Sequence, residues 1–381
     1  MKANSPYIYF DNSATTKPWP EVVERAAYVM TDCYGNPSSA HLLGRRSKEE
    51  LRRSRRAVAD LLGCQPKEVV FTSGGTEANN LAIFGGCSIM KKHGKKIVTT
   101  TVEHASVTKA LRMFKRDGWR VDYIPAPKGV LDINALENAI DEETVFVSVM
   151  LVNNEIGCIF PGEEIRKIID RKKSPALFHC DAIQAVGKIH FSPASIGADL
   201  MSVSAHKIHG AKGAGALFVR DKLRMHALHF GGGQERYLRP GTEGVPMIAA
   251  FGEAALLTKE RMDSDAAKMA ALRDYCHKKL RREIDGVQLL SSGKGAPHIV
   301  SCYLPGEDSA KVVRYLNEHD IYVSNGAACK SHYAGKGPQV LESFGLRPEA
   351  LYSVIRISFD AKNTFDEIDV FVQVLAARNK A

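Results

Sequence analysis

Apolar positions recur along the chain in two rhythms. From about residue 66, short β-branched runs alternate with amphipathic stretches. Glu68–Ser73, Lys96–Val102, Trp119–Pro125, Thr144–Val152, Ala176–Asp181, Leu200–Ser204 and Gly215–Val219 read as strands. Thr76–Gly85, Ala105–Asp117, Ile133–Ile140 and Glu163–Lys172 read as the helices between them. Apolar strands separated by amphipathic helices predict an α/β fold, with a mostly parallel sheet covered on both faces. Near Ile248 the character changes. A long helical stretch, Ile248–Ile284, leads to strands near Ile299–Leu304 and Val354–Ser358, and to helices near Ser309–His319 and Thr364–Arg378. The division this suggests is a large domain over 15–255 and a smaller α+β domain built from 1–14 and 256–381.

Ligands of open α/β sheets sit outside the carboxyl ends of the strands, so the residues that follow each strand are the candidates. They are Gly74-Gly75-Thr76, Glu103-His104, Asn153-Asn154-Glu155, Asp181 with Gln184 just beyond, and His206-Lys207. Taken singly, each has an ordinary reading. SGGTEANN is a strand-to-helix turn, and also an anion cradle of free N–H groups at a helix start. It lacks the GxxxxGK[ST] pattern of a nucleotide P-loop. Lys207 in SAHKIHG is a turn lysine, and also a desolvated amine suited to trapping an aldehyde. Asp181 is a helix cap, and also a buried carboxylate in want of a cation such as a protonated pyridine nitrogen. His104 is a structural histidine, and also an imidazole able to stack on a ring and move protons. Together at successive strand ends they make an anion cradle, a ring face, an amide, a nitrogen partner and an amine. Those are the parts that hold pyridoxal 5'-phosphate.

Composition narrows the classes. The chain has 381 residues, 44% hydrophobic and 25% charged, which is ordinary for a globular protein and excludes disordered or collagen-like ones. The longest apolar stretch, near Val145–Val152, is far shorter than the roughly 20 residues of a membrane-spanning helix. MKANSPYIYFDNSATT has no apolar or Arg-rich leader and reads as the start of the fold. Net charge is +9, which favours anionic partners without defining a nucleic-acid site; no direct DNA binding and no membrane association are expected. The densest basic run, Arg45–Arg56, has Leu51, Val58, Leu61 and Leu62 near one face and reads as a solvated amphipathic helix, compatible with docking RNA or an acidic protein. Eight cysteines form no CxxC pair and no zinc-like cluster, so free thiols in a reducing cytoplasm, and no metal, are expected.

The motifs then carry a resemblance. DNSATT, GNPSS, FTSGGTEANNLAI, VEH, VNNEIG, HCDAIQAVGK, SAHKIHGAKGAGALFVR, GGGQERYLRPGTE and SNGAACKS run over nearly the whole chain. In these the sequence resembles group I cysteine desulfurases, in the class V aminotransferase branch of pyridoxal-phosphate fold type I. The resemblance implies a seven-stranded, mostly parallel large-domain sheet. It implies that Lys207 bonds to the cofactor aldehyde, His104 stacks on the ring and shuttles protons, Asp181 pairs with the ring nitrogen and Gln184 with the ring oxygen. Gly75, Thr76, Ser204 and His206 would hold the phosphate, and Thr242 would reach the phosphate of a neighbouring subunit in a homodimer. Asn154 and Arg356 would hold the carboxylate of L-cysteine, with Asn36 near it. Cys329, on a loop at about 324–338, would be the nucleophile that takes the sulfur, with Lys330 and His332 beside it favouring the thiolate.

Some stretches depart from the family's pattern. SNGAACKS replaces the serine-rich SSGSACTS, SHYAGKGP follows the cysteine, and the chain ends at Ala381 without the extension some members use to dock an iron–sulfur scaffold. These leave the sulfur acceptor open between a scaffold protein and a tRNA-thiolation enzyme. A class V aminotransferase, a selenocysteine lyase and a non-catalytic partner-binding subunit are the competing readings.

Overall fold

In a computed structural model, residues 7–325 and 339–378 are described. The large sheet has seven strands in the spatial order Val69–Thr72, Gly215–Val219, Leu200–Ser204, Leu177–Asp181, Thr144–Met150, Lys96–Thr100 and Arg120–Ile124. Six run in one direction, and Gly215–Val219 is antiparallel to both its neighbours. The reason is local: ten residues separate Ser204 from Gly215, too few for the helical crossover that a parallel return requires.

The interior strands are buried along their whole length, and their side chains alternate between two cores. Val147, Val149, Phe178, Cys180, Met201 and Val203 pack into one, while Val145, Phe146, Leu177 and Leu200 face the other. The second core is closed by the helical run from Gly75 to Met90. Its middle turn, Leu81–Gly85, is a π-turn, so the predicted helix Thr76–Gly85 continues one turn further with a bulge inside it. Gly85 and Gly86 sit where a Cβ would meet His226 O at 2.6 Å and Phe146 Cε2 at 2.7 Å, which lets the helix approach the sheet closely.

A second, four-stranded antiparallel sheet follows the order Ser324–Asn325, Val354–Ser358, Ile299–Tyr303, Gln288–Leu289. It has its own core of Val300, Cys302, Ile355, Ile357, Leu316 and Phe371. The 39-residue helix Val245–Glu283 serves both bodies. Val245–Ala255 packs into the core of the large sheet beside the helices Leu42–Leu62 and Pro20–Thr31, and Met269, Leu272, Cys276 and Leu280 pack into the smaller core. Near the N-terminus, Phe10 lies in the smaller core and Ile8–Tyr9 pairs with Ile321–Tyr322. Ser358 N donates to Phe10 O, and Asn12 Nδ2 donates to Ser358 O. Residues 11–14 are thereby laid between the two sheets.

Candidate active site

A cavity of about 400 Å³ opens at the carboxyl edge of the large sheet. Its walls include Gly75, Thr76, His104, Asn154, Asp181, Gln184, Ser204, His206, Lys207 and Arg356. The residues singled out strand by strand in the sequence are thus brought together. The N-terminal segment adds Asp11, Ser13 and Ala14, and the smaller sheet adds Ser324 and Asn325.

Asp181 ends its strand and is 5% exposed. Its Oδ2 accepts from Asn79 Nδ2 at 2.8 Å and its Oδ1 from Ile183 N at 3.0 Å. Among the described residues no cation forms an ion pair with it. Burial therefore raises its pKa, opposed by His104, by the Asn79 and Ile183 hydrogen bonds and by Lys207. Asn79 Nδ2 also donates to Ser106 Oγ at 2.8 Å, and Ser106 Oγ lies 2.8 Å from His104 Nδ1. The Ser106 N–H donates to the same Nδ1, which must then be an acceptor. Burial, with Lys207 and Lys109 nearby, lowers the pKa of His104 against the pull of Asp181, so the neutral ring carries its proton on Nε2. Asn79 and Ser106 thus tie the carboxylate to the imidazole.

Lys207 follows its strand in the short turn Ala205–Lys207, and its Nζ donates to Ser13 O at 2.5 Å and Ala14 O at 2.7 Å. Gln184 Nε2 donates to the same Ser13 O at 2.9 Å. Burial, with Lys207 and Lys212 adding to it, pushes His206 down to about 4, and its Nδ1 lies 3.2 Å from Thr15 Oγ1. Arg356 is a buried fork: Nη1 donates to Asn154 O at 2.9 Å, Nη2 pairs with Asp11 at 2.8 Å, and buried Nε has no partner.

The residues fit pyridoxal 5'-phosphate. Ser204 Oγ is buried beside the cavity with no hydrogen-bond partner among the described residues. Gly74 has φ +153°, and a Cβ on Gly75 would lie 2.2 Å from Ile183 Cδ1, so this turn offers only backbone. An unpaired hydroxyl and a bare helix start suit a phosphate. The uncompensated Asp181 suits a protonated ring nitrogen, and Lys207 supplies the amine.

Asn36 and Thr242 are not brought to the cavity. Both are exposed, and Asn36 Oδ1 instead accepts from Ser38 N at 2.9 Å. Cys329 lies outside the described residues, as do Lys330 and His332. Asn325, four residues before Cys329, lines the cavity; four residues reach at most about 14 Å. Sequence reasoning missed Asp11, Ser13, Asn79, Ser106 and His298, whose roles depend on neighbours distant in the chain. Glu103, noted there only as a strand end, is buried. Its carboxylate accepts from Thr100 Oγ1 and Met150 N, and burial pushes it up to about 8.

The profile of the class-V aminotransferase family matches residues 8–371. The chain belongs to that family, whose enzymes work with pyridoxal 5'-phosphate. Within it the relatives are of NifS and IscS type. A NifS/IcsS protein homolog of Lactobacillus delbrueckii subsp. bulgaricus is 41% identical over 373 residues, 96% of this chain and 95% of its own. A cysteine desulfurase IscS of Edwardsiella ictaluri is 39% identical over 376 residues, 97% and 91% of the two chains. The solved structure of a NifS-like protein superposes with a TM-score of 0.92 at 33% identity, covering 98% of this chain and 99% of that one. The fold is that of these enzymes.

The Arg356 fork yields a prediction. A lysine there keeps the charge but loses the two-pronged geometry that matches a carboxylate. A hydrogen bond to a charged group contributes about 1.5–3 kcal/mol, so Arg356→Lys is expected to raise KM for an α-amino acid by roughly 10- to 100-fold, with a smaller change in kcat. Steady-state kinetics check it, and an unchanged KM removes Arg356 from carboxylate binding.

Proposed function

We propose that the protein is a cysteine desulfurase. It binds pyridoxal 5'-phosphate in this cavity, takes sulfur from L-cysteine, releases L-alanine and carries the sulfur on Cys329 to an acceptor. The observation that carries this reading is the meeting of Lys207, Asp181 and Arg356 in one cavity whose wall includes Asn325, just ahead of Cys329.

When bound, the cofactor supplies an electron-withdrawing ring that stabilises negative charge at the substrate's Cα. The chain supplies the rest. Gly75, Thr76, Ser204 and His206 hold the phosphate, Asp181 the ring nitrogen and Gln184 the ring oxygen, while His104 stacks on the ring. Arg356 and Asn154 orient the substrate carboxylate. Lys207 Nζ anchors the cofactor and, once released, takes the Cα proton. His104 keeps an N–H at Nε2 for proton delivery. The Cys329 thiolate bonds to the substrate sulfur as the carbon–sulfur bond breaks. The electron pair of that bond stays on carbon and takes up a proton at Cβ, Lys207 returns the proton it took from Cα to complete alanine, and the sulfur remains as a persulfide. Thr242, exposed here, reaches the phosphate from the partner subunit of a homodimer. The acceptor is a scaffold for iron–sulfur clusters or a tRNA-thiolation enzyme of the cytoplasm. No helix among the described residues is long and apolar enough to cross a membrane.

The test is direct. Purified protein given L-cysteine and a thiol reductant should form alanine and sulfide in equal amounts. Amino-group exchange with a keto acid and no sulfide would make it an aminotransferase. Turnover of selenocysteine alone would make it a selenocysteine lyase.

A further inference from the structure

His298 stands immediately before the Ile299–Tyr303 strand of the smaller sheet and is 1% exposed. Its carbonyl accepts from Phe359 N at 2.8 Å, which fixes the backbone beside the Arg356 strand. Of its two ring nitrogens, Nδ1 is buried with no partner, and Nε2 lies 3.3 Å from Gln184 Oε1. Among the described residues, the ring's one polar contact therefore reaches across to the cavity wall of the large sheet.

The chemistry of this contact is forced from its far end. Ser13 O is a carbonyl and can only accept, so the Gln184 atom 2.9 Å from it must be the amide nitrogen. The amide oxygen then faces His298, whose Nε2 must be the donor. Complete burial, with Lys188, Arg356, Lys207 and Arg273 adding their charge, lowers the ring's pKa well below the ordinary histidine value and keeps it neutral. It holds one proton, and that proton is on Nε2. The Gln184 nitrogen has two hydrogens, of which Ser13 O takes one, and Gln184 lines the cavity. Without a donor at 298, the amide oxygen would be left buried and unpaired, and only the Ser13 carbonyl would hold the amide in this orientation.

We propose that His298 is a positioning residue. It holds the Gln184 amide in the orientation that offers an N–H, and not a carbonyl, to the ring oxygen of the bound cofactor. This rests on the cofactor reading above. The same two contacts link the smaller sheet to Ser13 O, the carbonyl that also accepts from Lys207 Nζ.

An N–H donated to the ring oxygen draws electron density from it and makes the nitrogen that bonds to Lys207 less basic. Losing a hydrogen bond of this charged kind is worth about one pH unit. In protein loaded with pyridoxal 5'-phosphate, His298→Leu is therefore expected to raise the pH midpoint of the visible absorption change by about one unit. Gln184→Leu should do the same, and the double variant should shift no further than either alone. His298→Gln places an amide nitrogen at the same number of bonds from Cα and should restore the wild-type midpoint, whatever packing the leucine disturbs. In the wild-type apoprotein, ring ¹⁵N spectra should show the His298 proton on Nε2. A proton on Nδ1 overturns the proposal. So does an unmoved midpoint in His298→Leu where Gln184→Leu shifts it, or shifts that simply add in the double variant. Wild-type protein that forms no visible band with pyridoxal 5'-phosphate overturns the cofactor reading itself.

Discussion

Replacing Lys207 with alanine is expected to lower alanine formation from L-cysteine by at least about 10³-fold. Proton transfer by a positioned side chain typically contributes about 10² to 10⁴ in rate, and this amine is also the group proposed to bond the cofactor. It sits where the chain gives it no substitute. Its hydrogen-bond acceptors are the carbonyls of Ser13 and Ala14, which can neither take a substrate proton nor trap an aldehyde. Among the other cavity groups, His104 is engaged at Nδ1 by Ser106, and His206, beside Lys207 in the same turn, lies with its Nδ1 against Thr15 Oγ1. The variant should still take up pyridoxal 5'-phosphate through the phosphate and ring contacts, but should lose it on desalting, because the covalent link is gone. Its visible band should move away from the wild-type position. An added small amine should recover part of the rate by doing the same proton transfer from solution. A wild-type rate in Lys207→Ala, with the cofactor retained on desalting, would show that another amine anchors it.

Much of this site could be read along the chain because a parallel sheet places the ends of distant strands side by side. Thr72, Thr100, Asp181 and Ser204 each end an apolar run, and Gly74, Gly75, His104, His206 and Lys207 stand just beyond those ends. Strand periodicity and turn chemistry suffice to find them. Other features depend on tertiary contact. The antiparallel course of Gly215–Val219 follows from connection length. The helix Pro20–Thr31 went unpredicted, since only Val22 and Val29 in it are buried and its apolar stripe is thin. The π-turn at Leu81–Gly85 lies where Gly85 and Gly86 approach the segment near His226 and the sheet, a contact no local pattern encodes. Asn79, Ser106 and His298 are polar residues within or beside apolar stretches, and only their partners give them meaning. Asp11 belongs to the DNSATT motif, but its pairing with Arg356 spans 345 positions and no local pattern encodes it. Asn36 and Thr242 are exposed and away from the cavity in the single chain, so their place in a motif did not translate into a place in this site.

The other large effect is expected at Cys329. A thiol attacks as its thiolate, and the thiolate fraction is set by the thiol's pKa. The seven cysteines among the described residues are all free thiols. Burial pushes Cys64, Cys158 and Cys302 up to about 12, and Cys87, Cys180 and Cys276 well above the ordinary thiol value. At pH 7 a thiol of pKa about 12 is ionised in only about one molecule in 10⁵. Cys33 is buried as well, and it is not among the residues that line the cavity. Cys329 follows Asn325, a residue of the cavity wall, by four positions and has Lys330 as its immediate neighbour in sequence, so it is the thiol proposed to take the sulfur. In Cys329→Ala, sulfide release should fall to background while the visible band of the cofactor keeps its wild-type position and intensity, because none of the ring-holding groups has changed. Wild-type protein mixed with L-cysteine and no reductant should gain the mass of one sulfur atom on the peptide that contains residue 329, and the variant should gain none. Cys329→Ser, which keeps the size and polarity of the side chain, should be equally inactive, since an alkoxide is not available at neutral pH to attack sulfur. Sulfide release at the wild-type rate from either variant, with the added sulfur found on one of the seven other cysteines, would take Cys329 out of the reaction while leaving the cofactor site as described.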